Sequence, residues 1–115
     1  MDLISQNISW ADFEKIDIRV GTIVSAEIFK EARQPAYKIQ VDFGELGLKK
    51  SSAQLTKLYY AEELIGKQVI AVVNFPPKQI ATMFSECLIL GALGEEKAVT
   101  LLTIERPVVN GLKIG

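Results

Sequence analysis

Residues 69–90 run VIAVVNFPPKQIATMFSECLIL, two apolar stretches flanking a loop that opens at Asn74-Phe75-Pro76-Pro77. The first stretch, Val69 to Phe75, is apolar at both parities until Asn74, the pattern of a strand covered on both faces. Proline has no amide hydrogen and a fixed φ, so Pro76-Pro77 ends the ladder and sends the backbone out in a stiff, extended turn. The second stretch, Cys87 to Leu90, brings the chain back to the core before Gly91. The expectation is two core strands joined over the mouth of a small barrel, with Lys78, Gln79, Ser85 and Glu86 displayed at the rim.

The rest of the chain is consistent with one domain over residues 1–115. With 49% hydrophobic and 23% charged residues it has the composition of a folded domain and not of a disordered one. No apolar run approaches the roughly 20 residues that a membrane-spanning helix needs. The N-terminal MDLISQNISWADF has no basic segment ahead of an apolar block, so a soluble, cytoplasmic protein without membrane insertion is expected. One cysteine and no histidine rule out an internal disulfide, a zinc site and Cys-His or Ser-His catalysis. No metal and no other cofactor is expected, and Cys87 is read as a small core residue. Glu62-Glu63 and Glu95-Glu96 are adjacent carboxylates, but neighbours in sequence do not face one another, so no enzyme is expected.

The net charge of −1 is uninformative until it is divided along the chain. Residues 33–57 hold five basic and two acidic side chains. That block is modest, so contact with a polyanion should be weak, salt-sensitive and dependent on geometry.

Ser9-Trp10-Ala11-Asp12 carries a capping pattern, Ser9 accepting an amide bond and Asp12 answering it, which predicts a short helix from Trp10 to about Lys15. Trp10, Phe13 and Ile16 recur at three-residue spacing and give it an apolar side. From Ile16 the period changes to two, and at Gly21 the parity shifts, which predicts a bulge that curls a long strand. After the polar connection Lys30 to Pro35, Tyr37, Ile39, Val41 and Phe43 alternate with Lys38, Gln40 and Asp42 in a second strand. Gly44 to Gly47 is a turn, and Leu48 to Gln54 is a polar third strand. Its lysines either guard a sheet edge or face a ligand. Tyr59 to Leu64 predicts a short helical connection stopped by Gly66. A sixth apolar run, Val99 to Ile104, completes the core, and Asn110-Gly111 signals a terminal hairpin.

Five or six short strands, a bulged first strand and a short helix before the fourth predict an all-β protein with short helices, an OB-fold five-stranded β-barrel. Ligands of that fold lie across strands 2 and 3. Here that face carries Lys38, Gln40, Lys50, Ser52 and Gln54.

Five separated stretches then carry a resemblance: Asp17-Ile18-Arg19-Val20-Gly21, Glu31 to Lys38 (EARQPAYK), Asp42-Phe43-Gly44, Lys50-Ser51-Ser52-Ala53-Gln54, and Asn74 to Ile80 (NFPPKQI). In this order, across about Phe13 to Gly111, they closely resemble the CsaA family of small export-related chaperones. The resemblance implies an OB-fold homodimer, assembled partly through the N-terminal helix and C-terminal tail. It also implies likeness to the tRNA-binding domain appended to methionyl- and phenylalanyl-tRNA synthetases. Tyr60, Glu63, Leu64 and Gly66, Asn74 and Pro77, and Ser85-Glu86 match that wider family's pattern. Gln79 and Ala81 stand where it is often basic, leaving Lys78 alone, and Cys87-Leu88 replace a usual glycine-methionine. The grip on tRNA is therefore expected to be weaker than that of a synthetase appendage.

Two ligands follow from these residues. For folded RNA, Lys38, Lys49, Lys50 and Lys78 would meet phosphates, while Ser51, Ser52, Gln54, Asn74 and, at the rim, Ser85 would hydrogen-bond sugars or bases. Tyr37 and Phe75 have the parity of core residues, so few aromatics remain for stacking, and contact with a tRNA corner or end is expected over sequence reading. For an unfolded polypeptide, Phe75, Pro76, Ile80, Met83 and Phe84 would line an apolar groove, unless Ile80, Met83 and Phe84 plug the barrel end. Trp10, Phe13, Val108, Val109 and Leu112 sit on segments too short to be stable alone and are the expected contacts of a two-fold dimer. Unfolded preproteins, tRNA and the export machinery are thus the expected partners of a non-enzymatic chaperone. The alternative is a structure-selective tRNA-binding module, a free appendage to translation with no chaperone role.

Overall fold

The computed structural model describes residues 6–115 and is mostly β, with two short α-helices. Helix α1 is Trp10–Glu14, and its start is the predicted capping box: the Ser9 hydroxyl accepts the Asp12 N–H at 3.0 Å, and the Asp12 carboxylate accepts the Ser9 N–H at 3.0 Å. Strands β1 (Ile18–Ile28), β2 (Tyr37–Asp42) and β3 (Leu48–Ala53) follow, then α2 (Ala61–Leu64), β4 (Gln68–Val72), β5 (Lys78–Ile80), β6 (Met83–Ser85), β7 (Leu88–Ile89), β8 (Gly91–Leu93) and β9 (Val99–Leu101). The main sheet has the antiparallel order β3-β2-β1-β4-β7. β1 serves both halves, pairing with β4 through Ile18 to Thr22 and with β2 through Thr22 to Ile28.

The sheet curls until its ends meet. Glu86 N–H donates to the Lys50 carbonyl at 2.7 Å, the Lys50 N–H donates to Glu86 Oε1 at 2.9 Å, and the Ser52 N–H reaches Ser85 Oγ at 3.4 Å. This closes β3 against the β6–β7 connection with side chains standing in for part of a ladder, making a nearly closed five-stranded barrel. Inside it Ile23, Ile39, Val41, Phe43, Leu64, Val69 and Ala71 are fully or almost fully buried. Each large member contributes about 1.5–3 kcal/mol by leaving water. Tyr59 bridges barrel and ribbon, its carbonyl accepting the Tyr37 hydroxyl at 2.8 Å and its own hydroxyl accepting the Leu101 N–H at 3.1 Å.

Several expectations change in detail. The register shift in β1 falls between Ile23 and Ser25, at Val24, and not at Gly21. Gly21 has a steric task instead: a Cβ there would lie 2.5 Å from Val41 Cγ1 and 2.7 Å from the Phe43 ring. The strand expected over Val69 to Phe75 is shorter, ending at Val72, and Phe75 is 54% exposed, not core. The presumed loop from Lys78 to Glu86 contains the β5–β6 hairpin, and Gly44–Leu46 is a turn of 3-10 helix. Val99 and Leu101 do pack on the core, but from a separate β8–β9 ribbon.

The tail makes no hairpin of its own. It turns at Asn110-Gly111 and runs beside β1, with the Val20 N–H donating to the Leu112 carbonyl at 3.0 Å and the Ile114 N–H to the Ile18 carbonyl at 2.8 Å. Asn110 Oδ1 accepts from the Thr22 hydroxyl at 2.7 Å and from Gln68 Nε2 at 3.0 Å. Val108 is half-buried against its own barrel, whereas Trp10 (88%), Val109 (77%) and Leu112 (52%) are exposed.

Cys87 is buried beside the closure, its thiol 3.8 Å from the Lys50 carbonyl. Burial pushes the thiol up from 9.0 to about 12; Glu86 adds to the rise, while Lys49 and the Ser51 hydroxyl act against it.

Two outcomes follow. Gly21→Ala drives a methyl into Val41 and Phe43 and should cost about 1–3 kcal/mol by urea unfolding; an unchanged midpoint would show that this contact yields freely. The folded thiol keeps its proton where the unfolded one loses it, so its contribution to stability is complete below pH 9 and declines as pH rises toward 12. Cys87→Ala should flatten that decline relative to wild type, and native Cys87 should resist a disulfide reagent at pH 8 that modifies it readily after unfolding.

Candidate nucleic-acid interface

The β2–β3 register decides which side chains share a face. Lys38 lies opposite Ser52 and Gln40 opposite Lys50, while their neighbours Tyr37, Ile39, Val41 and Ser51 point into the barrel. The outward set therefore puts two ammonium groups, an amide and a hydroxyl on one curved surface. Lys38 is oriented by its neighbours, with the Glu27 carboxylate 3.5 Å away and the Phe29 ring centroid 5.5 Å below its Nζ. An exposed pair of this kind is worth about 0–1 kcal/mol, so a phosphate can displace Glu27 at little cost.

The β5–β6 hairpin stands over this sheet and divides the surface into three depressions. One, of about 490 Å³, lies between Lys38, Gln40 and Lys50 on the sheet and Met83 and Phe84 on the hairpin. A second, of about 460 Å³, is more apolar and gathers Phe75, Pro76, Ile80 and Leu88 with Ser52, Lys78 and Ser85. A third joins Ser52, Gln54 and Ile80 to Arg33 and Gln34 on the β1–β2 loop. Ser52 borders the second and third, and Lys50, on the same face of β3, borders the first, so Lys50, Ser52 and Lys78 lie on one surface around the hairpin.

Not every predicted residue is available on it. Ser51 is 1% exposed, and Lys49 lies opposite Val41 on the inward parity, near the Cys87 thiol; neither shares the face of Lys38 and Lys50. Asn74 spends its amide within the chain, Oδ1 accepting the Asp17 N–H at 3.0 Å and Nδ2 donating to the Lys15 carbonyl at 2.7 Å, which pins the exit of α1 to the end of β4. Ser85 Oγ is likewise engaged, donating to the Cys87 carbonyl at 3.3 Å. Met83 is buried in a small cluster with Phe29 and Ala36, and Ile80 packs beside it, so these two root the hairpin. Phe84 is 53% exposed and borders the lysine-bearing depression, not the one with Phe75. Gln54 and Lys78 are exposed as expected.

Glu27 and Thr82 belong to the surface and were not anticipated, while Phe29 lies buried beneath Lys38. The Lys38–Glu27 pair lies on the hairpin side of the Val24 shift, in the same register as Ile28 and Tyr37. A charged residue one strand away from a lysine was the available signal, and it required the correct register. Among the described residues there is no cluster of three or more His, Cys, Asp or Glu suited to a metal, and no helix is long and apolar enough to cross a membrane.

The family described as "Putative tRNA binding domain" matches residues 18–113. The crystal structure of chaperone CsaA from Bacillus anthracis str. Ames is 51% identical, with a TM-score of 0.92 over 96% of this chain and 100% of that one. The CsaA chaperone protein from Picrophilus torridus is 53% identical, with a TM-score of 0.89 over 95% of this chain and 100% of that one. The methionine–tRNA ligase of Methanococcoides burtonii is 37% identical over 99 residues, which are 86% of this chain and 14% of that protein, so the likeness covers a small part of the ligase. An OB-like barrel, a full-length match to two CsaA structures and a family match across nearly every strand lead to one assignment: this chain belongs to the CsaA family of tRNA-binding-domain proteins.

Proposed function

We propose that this chain is a non-enzymatic RNA-binding chaperone that recognises folded RNA, tRNA above all, on the outward face of β2 and β3. The observation that carries this is the alignment of Lys38, Gln40, Lys50 and Ser52 on one side of a closed barrel, beside the half-exposed Phe84. Ammonium groups meet phosphates, the amide and hydroxyl reach ribose or base edges, and Phe84 offers one stacking face. With so few cations, affinity depends on shape: the RNA must present phosphates at the spacing of the curved sheet. Membership in a family described as tRNA-binding supports the same ligand.

A second ligand is favoured by a separate feature. The depression formed by Phe75, Pro76, Ile80 and Leu88 has the apolar lining that an extended, unfolded polypeptide needs, with Lys78 at its edge. The similar CsaA proteins are chaperones by name, and we extend that role to this chain as binding of unfolded preproteins on their way to the export machinery. In this reading the protein works in the cytoplasm as a two-fold dimer. Trp10, Phe13, Val109 and Leu112 form its apolar contact, with Val108 supporting the tail from below. The RNA-only reading, a structure-selective tRNA-binding module acting as a free appendage to translation, is distinguished by having no use for the apolar depression.

Fluorescence anisotropy with tRNA across a salt series tests both. Wild-type affinity should fall as salt rises, and Lys50→Glu, whose side chain takes no part in the barrel closure, should abolish binding. Salt-independent binding, or full affinity in Lys50→Glu, would remove the RNA reading. Phe75→Ser should weaken binding of an unfolded preprotein and spare tRNA; equal preprotein affinity in that variant leaves the RNA-only reading.

A further inference from the structure

The loop from β8 to β9 runs through Gly94-Glu95-Glu96-Lys97-Ala98 and is closed by a hydrogen bond from the Gly94 N–H to the Ala98 carbonyl at 2.9 Å. Within it Glu96 (φ 54°) and Lys97 (φ 65°) both occupy the left-handed region. Residues with a Cβ are disfavoured there, and two in succession persist only where the surroundings hold them. At Gly44, Gly47, Gly66 and Gly111 this chain meets the same demand with glycine. Here it uses two charged side chains instead.

The strained turn carries the Lys97 ammonium to 2.7 Å from Gln34 Oε1 on the β1–β2 loop, joining two loops at the end of the barrel. Between them and the end of β3 lies a depression of about 300 Å³ lined chiefly by Gln34, Gln54, Thr56, Lys57, Glu96 and Lys97. Among the described residues neither Lys57 nor Lys97 forms an ion pair. Gln34 and Gln54 also border the depression that contains Arg33 and Ser52, so the site continues the β2–β3 face around the barrel end.

The geometry points to a second phosphate-binding site here, in which Lys57 and Lys97 hold the phosphodiester backbone of an RNA that already lies on the β2–β3 face. Gln34 accepts from Lys97 and keeps its amide hydrogens free to donate, and Thr56 and Gln54 add further donors. Glu96 opposes them and lowers the local charge. The site rests on the RNA reading above and gives it a means of selection. An RNA must turn from the strand face around the barrel end to touch both sites, which a folded tRNA can do and a short oligonucleotide lying on one face cannot.

The test compares tRNA with a short single-stranded oligonucleotide, each titrated by anisotropy across a salt series. Lys97→Gly removes the ammonium while relieving a positive φ, so it should melt no lower than wild type. Combined with Lys57→Ala, it should weaken tRNA binding and make the log-log salt slope shallower by about 1–2. Oligonucleotide binding should not change. Glu96→Gly, which removes a charge of the opposite sign at the other strained position, should tighten tRNA binding. An unchanged slope and affinity for tRNA in the double variant, with wild type still salt-dependent, overturns this site alone. A wild-type isotherm indifferent to salt overturns the RNA reading together with it.

Discussion

The reciprocal pair between Lys50 and Glu86 is the constraint on which the rest depends. A five-stranded sheet of this length leaves two edges, and an unpaired edge exposes backbone donors and acceptors that must find partners. The β6–β7 connection is too irregular to supply a full ladder, so Glu86 offers both its N–H and its carboxylate to one residue of β3, while Ser85 receives the next amide. Each such bond contributes about 0.5–1.5 kcal/mol net. The polar pair Ser85-Glu86 is therefore a clasp that shuts the barrel.

Closure fixes parity, and parity fixes the surface. Once Ile39 and Val41 face a sealed interior, Lys38 and Gln40 have only the outside to occupy, and β3 follows with Lys50 and Ser52. A slip of one residue would bury two lysines and expose the core, so the outward lysine-bearing face is held as firmly as the core itself. The hairpin sits on that face because Met83 and Ile80 root it beside Phe29 and Ala36. Its outward residue Phe84 and its edge residue Lys78 then divide the surface into a cationic and an apolar side.

Much of this was legible in the sequence, because alternation and prolines are local signals. The β2 pattern, the capping box at Ser9 and Asp12, the end of α2 ahead of Gly66 and the polar character of β3 all appear where expected. What escaped was set by distant contacts. Asn74, Ser85 and Ser51 have the donors and acceptors of a binding site, yet Asn74 and Ser85 satisfy backbone groups of the chain itself and Ser51 is enclosed within the barrel. Composition does not distinguish a polar group that serves a ligand from one that serves the fold. The Val24 bulge was likewise invisible, since a bulge is a relation between two strands.

The most direct measurement is a map of backbone amide shifts in the labelled protein as tRNA is added. Lys38, Gln40, Lys50, Ser52 and Phe84 should move together and saturate at one concentration, while Trp10 to Glu14 stay still. Shifts gathered on that helix and on the tail beside β1, with β2 and β3 unmoved, would contradict the assignment of the curved, lysine-bearing face to RNA.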